Sequence, residues 1–597
     1  MLTHRSPRTR SLLLAFCVFG AAFLTMSRVC ANSFVDWDDA HTLYNNPRMN
    51  PPSAGTLRYY WTHGEYGLYI PATYTIWTGL AKVAQLKEAD DRGIQLDARI
   101  FHTASVAIHA LSAVALFFLL RRLLNNRHAE VEAAHGPEQN AVRDGAAALG
   151  ALLFAVHPVQ VESVGWTSGM KDLLYGGFAI VALWQYVAAV QSLTRRGAVI
   201  HYVIATLAFM WAVLCKPTAM VLPAVAVVID LLILDRNWKK VARWTACWWP
   251  VAIGTMIVAR LVQFGHEQST APLWTRPLVA LDALAFYLRQ LAWPAQLCID
   301  YGRTPTAAHQ QGWIWWTWLV PAAVAALLWW KGRKPHVAAA LILAICVAPV
   351  LGLTPFLFQF YSTVSDHYLY LAMIGPALAL AFTAATCSIA RPAALIVLGL
   401  FAVKSFSQTS HWRDDEALFA HTVAVNPNSF VAYNNLGSAH SHLGDVLLGA
   451  SSVANRVGDH ATTSAYQDQA MQSYRRAKDL FAQSIDKRKL VNRDIDDYLT
   501  ARGNLAVVCS RLHEHEQALA HLKAAERIVR RFFPSQAQRS LPDIYSLAGQ
   551  DLLALNRIPE AIQCFDQALT IQPAHVQARI NREKARQLLA TVPLNEP

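Results

Sequence analysis

Three carboxylates, Asp36, Asp38 and Asp39, crowd into four positions directly after the first long apolar segment of the chain. If the segment ending near Cys30 crosses a bilayer, Asp38 and Asp39 stand at its lip, within reach of a lipid headgroup and of a water-soluble partner. A carboxylate held there can relieve an attacking hydroxyl of its proton. Adjacent aspartates after a helix also cap the next helix or close an Asx turn, so the pair takes its meaning from what else reaches that face.

Solitary cations recur at the ends of other apolar runs: Lys171, Lys216 in Cys215-Lys216-Pro217, and Arg303 in Cys298-Ile299-Asp300-Tyr301-Gly302-Arg303. Each alone reads as a snorkelling side chain or a helix C-cap. Gathered on one face, they suit an anionic headgroup. His157 and Glu162 in His157-Pro158-Val159-Gln160-Val161-Glu162, and Asp366, His367 and Tyr368, are further polar groups that would line a common cavity. A hydrogen-bonded structural pair at a helix end is the alternative for His157 and Glu162.

The elements that must position these groups are membrane helices. Of 597 residues, 54% are hydrophobic and 15% charged, against roughly 25% charged in a soluble domain. Candidate spans run at about 11–30, 101–120, 145–158, 170–190, 198–214, 216–234, 245–263, 312–330, 336–354, 366–386 and 391–406, about eleven in all. Net charge is +12, but the basic residues sit in short loops between apolar runs, the signature of membrane orientation and not of a nucleic-acid groove. Nine scattered cysteines show neither C-x-x-C nor metal-ligand spacing.

Arg5, Arg8 and Arg10 precede the first span, and other clusters follow at Arg121, Arg122, Arg127 and Arg143, at Arg195 and Arg196, at Arg236 to Arg243, and at Lys331 to Lys334. All fall on one side, expected to be the cytoplasm, if the stretch 278–293 lies along the membrane without crossing. The first outer loop then covers residues 31–100. The N-terminal apolar segment reads as a retained anchor, because Ser27 to Ala31 makes a poor cleavage site.

After Lys404 the composition becomes polar and helical. Three segments repeat small, large, small at offsets of four and three: Ala477, Phe481, Ser484; Ala518, Leu522, Ala525; Ala561, Phe565, Ala568. With Tyr433 to Gly437, Gly503 to Ala506 and Tyr545 to Gly549 as first helices, this is the tetratricopeptide pattern, with roughly 28 residues inserted between Asp445 and Tyr474 and a period longer than about 34. The expected fold is all-α: a polytopic membrane bundle over residues 1–406, then a repeat solenoid over 407–597. Such arrays bind protein or peptide.

Trp37-Asp38-Asp39 with Asn46-Pro47, His157 to Val164, Lys171-Asp172-Leu173-Leu174, Lys216-Pro217 with Leu222-Pro223 and Asp230, and Asp366 to Tyr370 together resemble the transmembrane and tetratricopeptide repeat-containing O-mannosyltransferases and their bacterial relatives, in the GT-C glycosyltransferase superfamily. The resemblance covers nearly the whole chain. It departs at Gly169-Met170, where family members often show Glu-Arg, and at His367, where they show Arg. It implies a GT-C-like bundle and an inverting transfer of a hexose, typically mannose, from a polyprenyl or dolichyl phosphate to an acceptor hydroxyl, which could be a protein Ser or Thr. The repeats would share the non-cytoplasmic face, in a bacterial inner membrane.

That chemistry needs a base within hydrogen-bond reach of the hydroxyl and fixed positive charge for the leaving phosphate. Asp38 is expected to be the base, with Asp39 orienting it or the acceptor. Lys171, Lys216, Arg303 and His367 would hold phosphate. A divalent ion bridging Asp38, Asp39 and phosphate is the alternative; with lysines available, the expectation is no metal and no cofactor. A membrane-anchored scaffold and a lipid-linked sugar transporter are the competing classes. A transporter would place ionisable groups in the middle of spans.

Overall fold

The computed structural model describes residues 6–90, 92–125, 137–263, 271–491, 496–534 and 536–591. Arg5 and Arg127 of the expected basic clusters lie outside the described residues. Every regular element among the described residues is a helix. The chain divides into two compact units, Met1–Leu418 and Phe419–Pro597.

Among the described residues of the first unit six helices are long and apolar enough to cross a membrane: Pro7–Ala31, Ala98–Leu124, Thr167–Val190, Arg195–Cys215, Trp313–Lys331 and Ala390–Trp412. Two bent pairs, Trp238–Thr245 with Trp248–Gln263 at 54° and Asp366–Ala372 with Ile374–Thr386 at 50°, raise the number to eight if each is one span. Three of the eleven expected stretches are not among these. Of the three, 216–234 and 336–354 correspond to shorter apolar helices, Pro217–Ile233 and Lys334–Val350. The stretch 145–158 lies in the helix Pro137–Val156, which also carries Glu138, Arg143 and Asp144.

Polar contacts tie the basic loops together at one end of this bundle. Arg10 Nε and Arg121 Nε grip the two oxygens of Asp144 at 2.8 and 2.7 Å. Arg122 reaches Gln191, four residues before Arg195. Tyr186 Oη and Arg236 Nη1 share Asp230, each at 2.7 Å, and Lys334 Nζ is 2.6 Å from Asp235. The helix Met170–Val190 carries Lys171 at its second position and finishes at this basic end. Its 21 residues set Lys171 about 30 Å away.

The helix Arg276–Ala292 keeps to the far end. One short loop reaches it twice: Tyr301 Oη meets Gln290 at 2.8 Å and Arg303 binds Asp282. Because Lys334 meets Asp235, the chain between the two basic loops returns to the end from which it started.

The second unit is a helical repeat region in which each helix packs on the next, from Phe430–Arg456 to Val576–Thr591. All nine small and large positions of the repeat pattern are buried. Gly437 and Gly549 admit the rings of Phe481 and Phe565; a Cβ would meet those rings at 2.8 and 2.5 Å. The insertion is taken up as length: Phe430–Arg456 and His460–Val491 have 27 and 32 residues, and Tyr474 Oη donates to Asp445 across them at 2.7 Å.

Candidate functional site

Asp38 and Asp39 sit in the turn before the π-helical turn Ala40–Tyr44, and they face opposite ways. Asp39 is fully buried. Its Oδ1 accepts from Ser168 N and Oγ at 2.9 and 2.7 Å, and its Oδ2 from Val35 N at 3.2 Å. Burial pushes its pKa up to about 7, against the pull of those donors. Both Asp39 oxygens accept from the protein, and through them it pins this loop, with Asp38 in it, to the start of the helix Met170–Val190.

Asp38 keeps 47% of its side chain exposed, and its Oδ2 lies 3.7 Å from Lys171 Nζ. Lys171 is nearly buried, with its ammonium 4.5 Å from the Trp166 ring. The 3-10 turn Thr167–Gly169 leads into that helix and puts Lys171 and Asp172 in its first turn, where Asp172 complements the helix dipole and Lys171 does not. Gly169 is needed for the turn, since a Cβ would stand 2.8 Å from the Ser163 carbonyl oxygen. A larger residue at this position requires that carbonyl to move.

Lys216 arrives from the break between Arg195–Cys215 and Pro217–Val221, held extended by the proline that follows it. Its Nζ is 2.5 Å from Asp172 Oδ1 and stands 5.3 and 5.6 Å from the rings of Tyr368 and Tyr175. Asp172 was quoted with Lys171 in the sequence but given no role. Its position in the first turn, next to Lys171 in sequence, is the signal that could have marked it as a counter-charge.

Glu162 anchors the third polar group. It accepts from Ser365 Oγ at 2.7 Å and Asp366 N at 3.0 Å, and its Oε1 lies 2.6 Å from His367 Nδ1. Burial raises its pKa to about 8, favouring the net-neutral form of the Glu162–His367 pair. The His367 ring lies 5.6 Å from Trp166 and 4.2 Å from Tyr368. Asp38, Lys171, Asp172 and Lys216 all act on it electrostatically. The structure therefore brings together Asp38, Lys171, Lys216, Glu162, His367 and Tyr368.

Three expected groups face elsewhere. His157 is buried, its Nε2 3.1 Å from the Leu291 carbonyl and its ring 4.6 Å from Phe401, contacts that turn it away from this cluster. Asp366 turns its carboxylate to Tyr301 Oη at 2.7 Å and to Gln290. Arg303 is held by both oxygens of Asp282, at 2.8 and 2.6 Å, with Thr317 sharing one of them, and stacks 4.1 Å from Trp313. A guanidinium satisfied in this way serves its own loop.

Aromatic side chains wall the cluster. Trp37 lies 6.4 Å from Phe358 and 5.9 Å from Tyr361, and Phe358 lies 6.0 Å from His367. Phe358 and Tyr361 were not singled out from the sequence, although the run Phe356-Leu357-Phe358-Gln359-Phe360-Tyr361 marks them. Among the described residues no group of three His, Cys, Asp or Glu side chains converges as a metal site. The cluster offers one half-exposed carboxylate, two ammonium groups and an imidazole inside an aromatic wall, a set that can bind an anion and accept a proton beside it.

No family model matches the chain. The human Protein O-mannosyl-transferase TMTC4 is 25% identical to it over 344 residues, 49% of this chain and 46% of that protein. The human Protein O-mannosyl-transferase TMTC3 is 22% identical over 537 residues, 79% of this chain and 55% of that protein. The chain spans about half the length of the curated relatives it matches, and its similarity to them is distant.

Proposed function

We propose that this membrane protein is a GT-C-type glycosyltransferase that moves a hexose, mannose by the names of its relatives, from a polyprenyl-phosphate carrier to a protein hydroxyl. The observation that carries the reading is the meeting of Asp38 with Lys171 and of Lys216 with Asp172, at the end of the bundle opposite every described basic loop. With the basic loops in the cytoplasm, the site opens on the non-cytoplasmic face.

The acceptor hydroxyl attacks the anomeric carbon while Asp38 takes its proton. The new C–O bond forms as the bond to the phosphate oxygen breaks, and that oxygen leaves with the electron pair, inverting the centre. Lys171 meets the charge left on phosphate, and Lys216 stays paired with Asp172 beside it. Tyr368 and Trp166 confine the ammonium groups, and Glu162 sets the His367 ring beside them. No step needs a cofactor or a metal. The second unit is a tetratricopeptide array that presents the acceptor protein.

A transporter would carry its ionisable groups in the middle of spans; Lys171 and Asp172 sit in the first turn of their helix and Lys216 at a helix break. The test is transfer by the purified full chain from radiolabelled polyprenyl-phosphate mannose to a Ser/Thr-containing peptide. Label in the peptide supports the reading, and no transfer of mannose or any other hexose from such carriers overturns it.

A further inference from the structure

Lys171 and Lys216 hold their carboxylate partners in different ways. Lys216 is 2.5 Å from Asp172, with side chains 8% and 0% exposed. Separating such a pair leaves two charges without partners in a low-dielectric interior, so it stays closed. Lys171 is 3.7 Å from an Asp38 that is half in solvent. A loose pair of this kind contributes little, and its carboxylate is readily rehydrated when the ammonium leaves. The Trp166 ring, 4.5 Å from Lys171 Nζ, gives the ammonium a second favourable surface along which it can turn.

Lys171 therefore stands between a carboxylate it holds weakly and a cavity whose second lysine is already neutralised. The net charge of Asp38, Lys171, Asp172 and Lys216 is zero, so an incoming phosphate finds no spare cation unless one of these pairs opens. The pair with the lower cost of opening is Lys171 with Asp38.

We infer that Lys171 is passed from Asp38 to the donor phosphate, so that the base is masked until the lipid-linked sugar arrives and is released by its arrival. This inference rests on the transferase reading. On binding, the phosphate takes the ammonium, and Asp38 is left as a carboxylate without its ion-pair partner, open to the acceptor hydroxyl. The acceptor hydroxyl then finds a free hydrogen-bond acceptor only after the donor is in place. Binding is ordered, donor first, and Asp172 is a positioning residue that keeps Lys216 from taking Lys171's part.

A zero-length carbodiimide cross-link tests this on the full chain in detergent, because it joins a carboxylate to an amine only when they are in contact. The expected result is an Asp38–Lys171 amide peptide by mass spectrometry in the ligand-free protein, lost on saturation with undecaprenyl phosphate, whose binding is followed separately by tryptophan fluorescence. K171R, which keeps the cation but cannot form the amide, is the control for peptide assignment. A cross-link that persists while undecaprenyl phosphate is bound, or that never forms in the ligand-free protein, overturns the exchange and leaves the donor-site reading standing. Failure of undecaprenyl phosphate to bind at all overturns both.

Discussion

Ser168 donates its backbone N–H and its hydroxyl to Asp39 Oδ1, at 2.9 and 2.7 Å, joining two stretches 129 residues apart in the chain. Asp39 is one residue from Asp38 and Ser168 is three from Lys171, so this buried contact decides how far apart the exposed carboxylate and the ammonium stand. The two neighbouring aspartates thus divide the work: Asp39 fixes the frame and Asp38 stays half-exposed beside Lys171.

Asp38→Asn keeps the size of the side chain and removes its capacity to accept a proton. Transfer is expected to fall about 10²- to 10⁴-fold, the usual contribution of a positioned base. Membrane insertion and thermal stability should stay close to the parent, because Asp38 is half-exposed and its ion pair is loose. Turnover at the parent rate in the label-transfer assay would remove Asp38 as the base.

Asp172→Asn leaves Lys216 without its counter-charge. Breaking one side of a buried pair costs about 3–5 kcal/mol, so the variant should unfold at a visibly lower temperature in detergent. The double variant Asp172→Asn/Lys216→Met removes both charges and should recover most of that stability without recovering transfer. Thermal scans by tryptophan fluorescence separate the two contributions, and a single variant as stable as the parent would show that the pair does not carry this weight.

Asp39 gives a pH dependence with a definite sign. Its folded pKa is raised from 3.8 to about 7, so the folded state holds a proton that the unfolded chain releases. The stabilisation is fully present below about pH 4 and is lost as pH rises through about 7, on the order of 2–4 kcal/mol by linkage. Asp39→Asn should flatten that part of the stability profile, with a uniform loss because the Val35 N–H would face an amide nitrogen. Thermal denaturation between pH 5 and 8 measures it, and an unchanged slope would count against a protonated Asp39.

How much of this was legible in the sequence follows from the kind of interaction involved. Periodicity and composition located the apolar helices and the repeat positions from Ala477 to Ala568, because burial repeats locally along the chain. Of the expected spans, 216–234 folds as a helix broken by 3-10 and π turns and 336–354 as a shorter helix. Lys171 and Asp38 were found as residue types out of place in an apolar setting. The partners of Arg303 and His157 were not, because whether a cation is free depends on a carboxylate such as Asp282 or a carbonyl such as that of Leu291, far away in sequence. For the same reason the sequence assigns Asp39 an orienting role without showing that Ser168 holds it.

Topology reporters after residues 332 and 420 should fall on opposite faces of the membrane. Lys334 bonds to Asp235 at the basic end, while the helix Ala390–Gln408 starts beside Arg391 and its continuation Thr409–Trp412 accepts a bond from Asn32, next to the Asp38 turn. The same face for both reporters would break the placement of the site on the non-cytoplasmic side.

His367→Arg tests what the imidazole contributes to phosphate binding. At present His367 shares its Nδ1 contact with Glu162, whose buried carboxyl favours a net-neutral pair, so little positive charge faces the cavity. An arginine cannot lose its proton, and with Glu162 behind it would hold a carboxylate on one edge and turn the other edge toward Lys171 and Lys216. Donor KM is expected to fall several-fold, with kcat little changed, because the added charge binds donor and departing phosphate alike. His367→Ala, by contrast, leaves Glu162 with one donor fewer and should raise donor KM and lower stability together. If the arginine variant also binds donor more weakly, His367 holds the ring network of Trp166, Phe358 and Tyr368 in place and does not face phosphate.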